Sequence, residues 1–358
     1  MKKKIMDIFN DMKKYWKGKT PEGYDKFSIP LKPDEDDMIG RECPNEDCQP
    51  RYFKIYLHES EKAEEEKEMK VDKEDLSQIN LTCPYCGRIE NMQQFHTKPQ
   101  TQYIESMITR DVHYAFQETL KKAFPLSRPK ADKSFSVRME FKPGPLPGLK
   151  HYTEKQLKRK VVCNKCGHKY AVYGIAFHCP FCGEGNILIH FEISKQIVLS
   201  SLNAGDVMRE KGGEEAYHHH LGNCLEDIVS LFEGFHKSFY IKTFKNKASR
   251  EEAEEKISRI KTNFQRLSGA EEFFRIDLGI EIFAPLSDKE REFLEEIFLK
   301  RHVITHNLGL VDKKFQEKVR SWQGRGEELE ISKSDIEKGL ELVDKVIREE
   351  VRALGLHD

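Results

Sequence analysis

Apolar residues recur at helical spacing along most of this chain, and the pattern breaks at a few Pro/Gly and cysteine-rich stretches. At the start, Ile5, Ile8, Phe9, Met12 and Trp16 fall three or four apart, which predicts an amphipathic helix packed on its own protein. Ile104, Met107, Ile108, Val112, Ala115 and Leu120 predict a helix within 96–125, and the FKPGPLPGL stretch at 141–149 reads as a linker. Residues 214–238 place Leu225, Ile228, Leu231, Phe232 and Phe235 on one further helix. Three serines have a glutamate three residues later: Ser249/Glu252, Ser287/Glu290 and Ser334/Glu337. In such a capping box the two side chains satisfy backbone N–H groups that a helix start leaves open, so each pair predicts a helix. The C-terminal half therefore reads as a bundle of roughly four to six helices.

Strands are expected near Tyr52–Leu57 and Ile79–Thr82, on either side of a mixed-charge run at 61–75 that carries no evident chemistry. The chain has 358 residues, 38% apolar and 34% charged, which allows two or three compact domains. A net charge of -1 means that any nucleic-acid contact must come from a local basic patch. No stretch approaches the roughly 18 apolar residues of a membrane span, so no membrane partner is expected. Asp7 and Asp11 interrupt the apolar start and no small-residue cleavage site follows, so a cytoplasmic location is expected.

That location bears on the nine cysteines, because cytosolic thiols stay reduced and paired cysteines there suggest metal. Cys43 and Cys48 precede Cys83-Pro-Tyr-Cys86-Gly87, and Cys163-Asn-Lys-Cys166-Gly167 precedes Cys179-Pro-Phe-Cys182-Gly183. A C-x2-C or C-x4-C turn supplies two thiolates from one tight loop, and two such knuckles give the four tetrahedral ligands of structural zinc. Two zinc ribbons are expected, with two structural Zn2+ per chain. Four thiolates leave no open coordination position, so neither ion is catalytic. An iron–sulfur cluster is the weaker alternative for four cysteines, and His168 or His178 could stand in for a cysteine in the second site. Cys224 is left over and reads as a buried thiol.

Around the second ribbon, Lys155, Lys158, Arg159, Lys160, Lys165 and Lys169 face a single acid, Glu154. Lys158, Arg159 and Lys160 are the candidate nucleic-acid contacts, set against the reading of a solvated face. The expected fold class is mainly α with small β zinc ribbons. An N-terminal helix and linker span 1–40, the first ribbon 41–95, a helix and Pro/Gly linker 96–150, the second ribbon 151–192 and an all-α domain 193–358.

The helix expected over about 288–308 ends in Arg301-His302-Val303-Ile304-Thr305-His306-Asn307. Arg301-x4-His306, with a polar residue directly after the arginine, resembles the R-x4-6-H motif of the HEPN superfamily. The resemblance covers roughly residues 195–358. It implies a homodimer of helical bundles whose Arg/His pairs meet at the two-fold axis in one composite site. It also implies a metal-independent endoribonuclease, acting as a toxin or phage-defence effector, with RNA as substrate and an activating trigger or an antitoxin as a further partner. The zinc ribbons would then serve substrate binding or sensing.

Residue chemistry fits that expectation. Cleavage by the neighbouring 2′-hydroxyl needs a proton carrier, which His306 provides because histidine titrates near neutrality. Arg301 suits the charge that builds on the phosphate oxygens, His302 is a secondary polar contact, and Asn307 either orients His306 or caps the helix. Arg301 and His306 lie about 140° apart around a regular helix, so the arginine must curl round or the helix must loosen. His218, His219 and His220 are expected to diverge rather than share one ion, and Glu226 and Asp227 lie on the same helix as candidate cleft residues. The alternative function is a non-catalytic nucleic-acid-binding or regulatory protein that dimerises through its helical domain.

Overall fold

Each of the four cysteine pairs sits at the turn of a hairpin or bridge, and this arrangement organises the N-terminal half. The computed structural model describes residues 15–19, 23, 25–56, 79–123, 141–245, 247–307, 309–319 and 328–355. Two short strands, β1 (Trp16–Lys19) and β2 (Asp25–Phe27), pair first, with Trp16 opposite Phe27. Trp16 therefore belongs to a strand instead of the helix expected from the apolar spacing, because Gly18 at φ 108° breaks helical geometry there. Ile5, Ile8, Phe9 and Met12 lie outside the described residues, as does the mixed-charge run.

Strands β3 (Met38–Glu42) and β4 (Tyr52–Tyr56) flank Cys43 and Cys48, while β5 (Asn80–Thr82) and β6 (Ile89–Asn91) flank Cys83 and Cys86. Helix α1 (Lys98–Ala123) follows within the expected range. Then β7 (Arg159–Val162) and β8 (Lys169–Val172) flank Cys163 and Cys166, and an antiparallel bridge from His178 to Gly185 closes around Cys179 and Cys182.

The two cysteine modules join in one sheet. Its order is β3-β4-β8-β7, all antiparallel, with Phe53 opposite Val172 and Ile55 opposite Tyr170 across the seam. Phe53, Ile55, Val161, Tyr170 and Val172 share one small core with Cys43, Cys48, Cys83, Tyr85 and Phe95. Burying each aromatic or aliphatic side chain of this kind contributes about 1.5–3 kcal/mol. Neither two-stranded module could gather that much apolar area alone.

From Ile187 onward the chain is mainly helical: α2 (Ile187–Asn203), α3 (Gly205–Lys245), α4 (Arg250–Ser258), α5 (Leu267–Phe273), α6 (Asp288–Asn307), α7 (Lys313–Lys318) and α8 (Lys333–Ala353). The long α3 is the centre of the bundle and packs against α2, α6 and α8. It begins earlier than the apolar pattern suggests, because the chain stays helical on both sides of a kink at Gly213. The Ser287/Glu290 box forms in both directions and Ser249 caps α4. At α8 the box is Ser332/Asp335 instead of Ser334/Glu337. Asp335 satisfies the same spacing two residues earlier, which leaves Ser334 inside the first turn, bonded to Ser332 Oγ at 2.9 Å. A cap of this kind is worth about 1 kcal/mol. Among the described residues, no helix is long and apolar enough to cross a membrane.

A fully buried ionisable pair lies in the bundle core. His236 on α3 stacks on Phe232, and its Nε2 is 3.1 Å from Glu350 Oε2 on α8. Its Nδ1 lies 2.8 Å from the Phe232 carbonyl, so an N–H there leaves Nε2 as an acceptor. Burial pushes the Glu350 carboxyl well above its ordinary value and the His236 imidazole down to about 4. Both shifts favour the uncharged pair. A carboxyl with a raised pKa stabilises the fold below its ordinary value of 4.5, and that contribution fades as pH rises towards the folded value. Glu350→Gln keeps a hydrogen-bond donor for Nε2 and removes the proton requirement. Its thermal midpoint should therefore exceed that of the wild type by a margin that widens from pH 5 to pH 8. An equal margin at both pH values would show that Glu350 folds ionised.

Candidate metal centres and the Arg301–His306 helix

Three of the four knuckles are built alike. The N–H groups of Gly87, Gly167 and Gly183 donate to the carbonyls of Cys83, Cys163 and Cys179, at 3.0, 2.9 and 3.0 Å. The three glycines have φ of 80°, 73° and 74°, a left-handed turn that side chains resist. The fourth knuckle has two more residues and closes through Asn45, whose carbonyl accepts from Cys48 N and whose side chain accepts from Asp47 N.

These turns gather the sulfurs into two groups, Cys43/Cys48/Cys83/Cys86 and Cys163/Cys166/Cys179/Cys182, each with all four sulfurs within 4.8 Å of one another. The nearest pairs are Cys43–Cys86 and Cys48–Cys83 at 3.7 Å, Cys163–Cys182 at 3.7 Å and Cys166–Cys179 at 3.6 Å. A metal about 2.3 Å from each of four tetrahedral sulfurs sets them about 3.8 Å apart, so both groups fit one ion each. All eight cysteines are free thiols. Crowding splits their acidities. Hydrogen bonds from Cys43, Cys48 and Cys83 pull Cys86 far below the thiol range, and those from Cys166 and Cys179 do the same for Cys163. Hydrogen bonding to Cys43 pushes Cys48 and Cys83 up, and bonding to Cys163 pushes Cys179 up. Four sulfurs this close are ready to give up protons to a cation.

Both nearby histidines are engaged outside the sulfur groups. His168 stacks on Phe181 with ring centroids 4.1 Å apart, and His178 Nε2 accepts from Lys242 at 3.2 Å. Asn186, the residue before α2, donates to Tyr170 OH and places its Oδ1 3.7 Å from Cys163 Sγ. Lys242 had no sequence-level assignment. It follows Phe235 and Phe239 at helical spacing on the apolar side of α3, which is the signal that could have singled it out. Burial pushes its pKa down, and the Cys86, Cys83 and Cys48 sulfurs push it back up.

The basic stretch of the second module is largely engaged within the protein. Lys160 Nζ pairs with Asp36 at 2.6 Å, and Lys165 pairs with Glu184. Arg159 is half-buried and donates to Ser194 Oγ on α2 at 3.0 Å. Lys155 and Lys169 lie over the rings of Tyr52 and Tyr56. Lys158 is exposed.

Helix α6 stays helical through Asn307, so Arg301 and His306 keep their divergence of about 140°. Arg301 is half-buried with Nε enclosed and, among the described residues, without a hydrogen-bond partner. His302 and His306 are exposed one turn apart, with ring centroids at 4.7 Å. The end of α6 is held from three sides. Lys300 pairs with Glu296 and with Asp335 at the start of α8, Thr305 Oγ1 donates to Glu226 Oε1 on α3, and Ile304 packs over Gly222. Asn307 donates to Asp312, the cap of α7, and so fastens the helix end.

Of the three consecutive histidines, only His220 turns inward. Its Nε2 lies 2.8 Å from the Ser201 carbonyl and 3.7 Å from the buried Cys224 thiol, while His218 and His219 are exposed. Asp227 sits beside Glu226, and burial followed by that neighbour raises its pKa. No family model, curated protein or solved structure matches this chain.

Proposed function

We propose that this chain is a two-zinc protein whose helical half is a HEPN-type, metal-independent endoribonuclease working as a homodimer. The observation that carries the catalytic part is the end of α6, where His302 and His306 stand exposed side by side next to Arg301 in an all-helical bundle. The divergence of Arg301 and His306 on a regular helix fits a site completed by a second copy, since one chain alone does not aim both at one phosphate. His306 would carry the proton to or from the reacting oxygens, Arg301 would take the phosphate charge, and His302 would contact the same group.

Four thiolates per ion make zinc the metal that suits both sulfur groups, and leave it a structural role. Zinc would supply cross-links here and take no part in cleavage. The biological setting that suits this chemistry is a toxin or phage-defence effector.

A brief incubation of zinc-loaded protein with labelled single-stranded RNA in EDTA, with zinc content checked afterwards, tests the proposal. Cutting that leaves a 2′,3′-cyclic phosphate is the expected result. The enclosed Nε of Arg301 favours a second reading, a non-catalytic nucleic-acid-binding or regulatory dimer. Retarded but intact RNA would decide for it.

A further inference from the structure

We infer that Lys242 is the outer-sphere cation of the first tetracysteine centre, and that the metal held there clasps the helical bundle to the sheet. The inference rests on the metal part of the proposed function and is independent of the nuclease part.

A dication with four thiolates carries two net negative charges, and a partly buried anion of that kind needs a compensating group close by. Lys242 meets the requirement from α3. Its Nζ donates to the carbonyl of Cys86, the last ligand of the centre, at 3.1 Å. A second N–H points to His178 Nε2 at 3.2 Å, and the Phe177 ring lies 5.5 Å from the ammonium. Arg88 also feels the sulfurs, but it is exposed and bound to Glu90 at 2.8 Å.

The place Lys242 reaches is where three parts of the chain meet. Residues of the second module wrap the first knuckle: Phe177 N and His178 N both donate to the Pro84 carbonyl, and Thr82 N donates to Pro180 O. A Cβ added at Gly87 would come within 2.9 Å of His178 Nε2, so the two loops are in close contact. Tyr85, between the two ligands of the same knuckle, donates to Tyr52 O in the sheet and accepts from Tyr173 N. When the metal leaves, the Cys83–Gly87 turn loses the constraint that fixes all of these groups. Lys242 is then a partly buried ammonium without the anion it faced. At the second centre the buried neighbour is the neutral Asn186, and the lysine there, Lys165, is exposed and paired with Glu184.

The test compares wild type, Lys242→Met and Lys242→Arg as full-length, zinc-loaded proteins. Each is challenged with increasing chelator in the presence of a thiol-alkylating reagent, and mass spectrometry reads which cysteines become modified. In Lys242→Met, Cys43, Cys48, Cys83 and Cys86 should be exposed at about 10–100-fold lower chelator, the usual effect of losing an outer-shell partner. Cys163, Cys166, Cys179 and Cys182 should behave as in wild type, and Lys242→Arg should hold the first metal more tightly than Lys242→Met. Unchanged protection of the first four cysteines overturns the inference. Equal loosening of both centres also overturns it, because that is general destabilisation. Wild-type protein without zinc would remove the metal reading itself.

Discussion

A Cys83→Ser protein is expected to hold one metal ion where the wild type should hold two, and to lose the fold around the first sulfur group with it. Apparent binding free energies of structural zinc are about 10–16 kcal/mol, and in small modules that energy is folding energy. The described part of the first module offers only short hairpins around its sulfurs, so little else replaces the lost cross-link. The damage should spread, because β4 pairs with β8 and the first sulfur group shares its core with Val161, Tyr170 and Val172 of the second module. Cys163→Ser should also lose about one metal. Cys224→Ser is the control: this thiol lies in the helical core beside Ser201 and His220, and its loss should leave both metals in place. Elemental analysis and light scattering read these outcomes. One zinc or none per chain in wild-type protein would sink the two-site assignment.

The two tetracysteine groups were legible in the sequence because each knuckle is a local device. Two cysteines at a short spacing, followed by a glycine in three of the four knuckles, set the turn whatever the rest of the chain does, and the structure brings together the same eight sulfurs. Helix α1 and the Ser249 and Ser287 caps were legible for the same reason. The union of the two modules was not, since a β4–β8 seam depends on partners far apart in the chain, which periodicity does not record. Nor was the Trp16 strand, where five apolar positions at helical spacing competed with Gly18 and a strand partner at Phe27. At α8 two serines offered the same capping chemistry, and Asp335 rather than Glu337 settled which one caps.

Charge was the least legible feature. Lys158, Arg159 and Lys160 read as a patch, yet Arg159 docks on α2 and Lys160 on Asp36. The groups with the most unusual surroundings, His236 and Glu350, stand out only once helix packing is known, because each sits at an otherwise apolar position; Lys242 left only the weak signal of a charge at helical spacing from Phe235 and Phe239. His190 on α2 belongs with them: it is fully buried with both ring nitrogens unpartnered, and burial, then Arg159, lowers its pKa to about 3.

His306→Ala is expected to lower RNA cleavage by about 10²–10⁴-fold, the usual contribution of a positioned proton carrier. Arg301→Ala should cost a comparable factor, about 10²–10³, through lost stabilisation of the phosphate charge. His302→Ala should cost less, because a histidine one turn away contacts the same group without carrying its proton. None of the three should unfold the bundle: His302 and His306 are exposed, and α6 is held by Lys300, Ile304, Thr305 and Asn307 instead. Helical content and thermal midpoint should therefore stay near wild type while activity falls. Mixing the two inactive variants is the sharper measurement. In a heterodimer of His306→Ala with Arg301→Ala, one subunit still carries Arg301 and the other still carries His306. Partial recovery of cleavage on mixing would mean that the site spans the two-fold axis. Cleavage that survives loss of both residues in the same chain would refute the assignment of the motif.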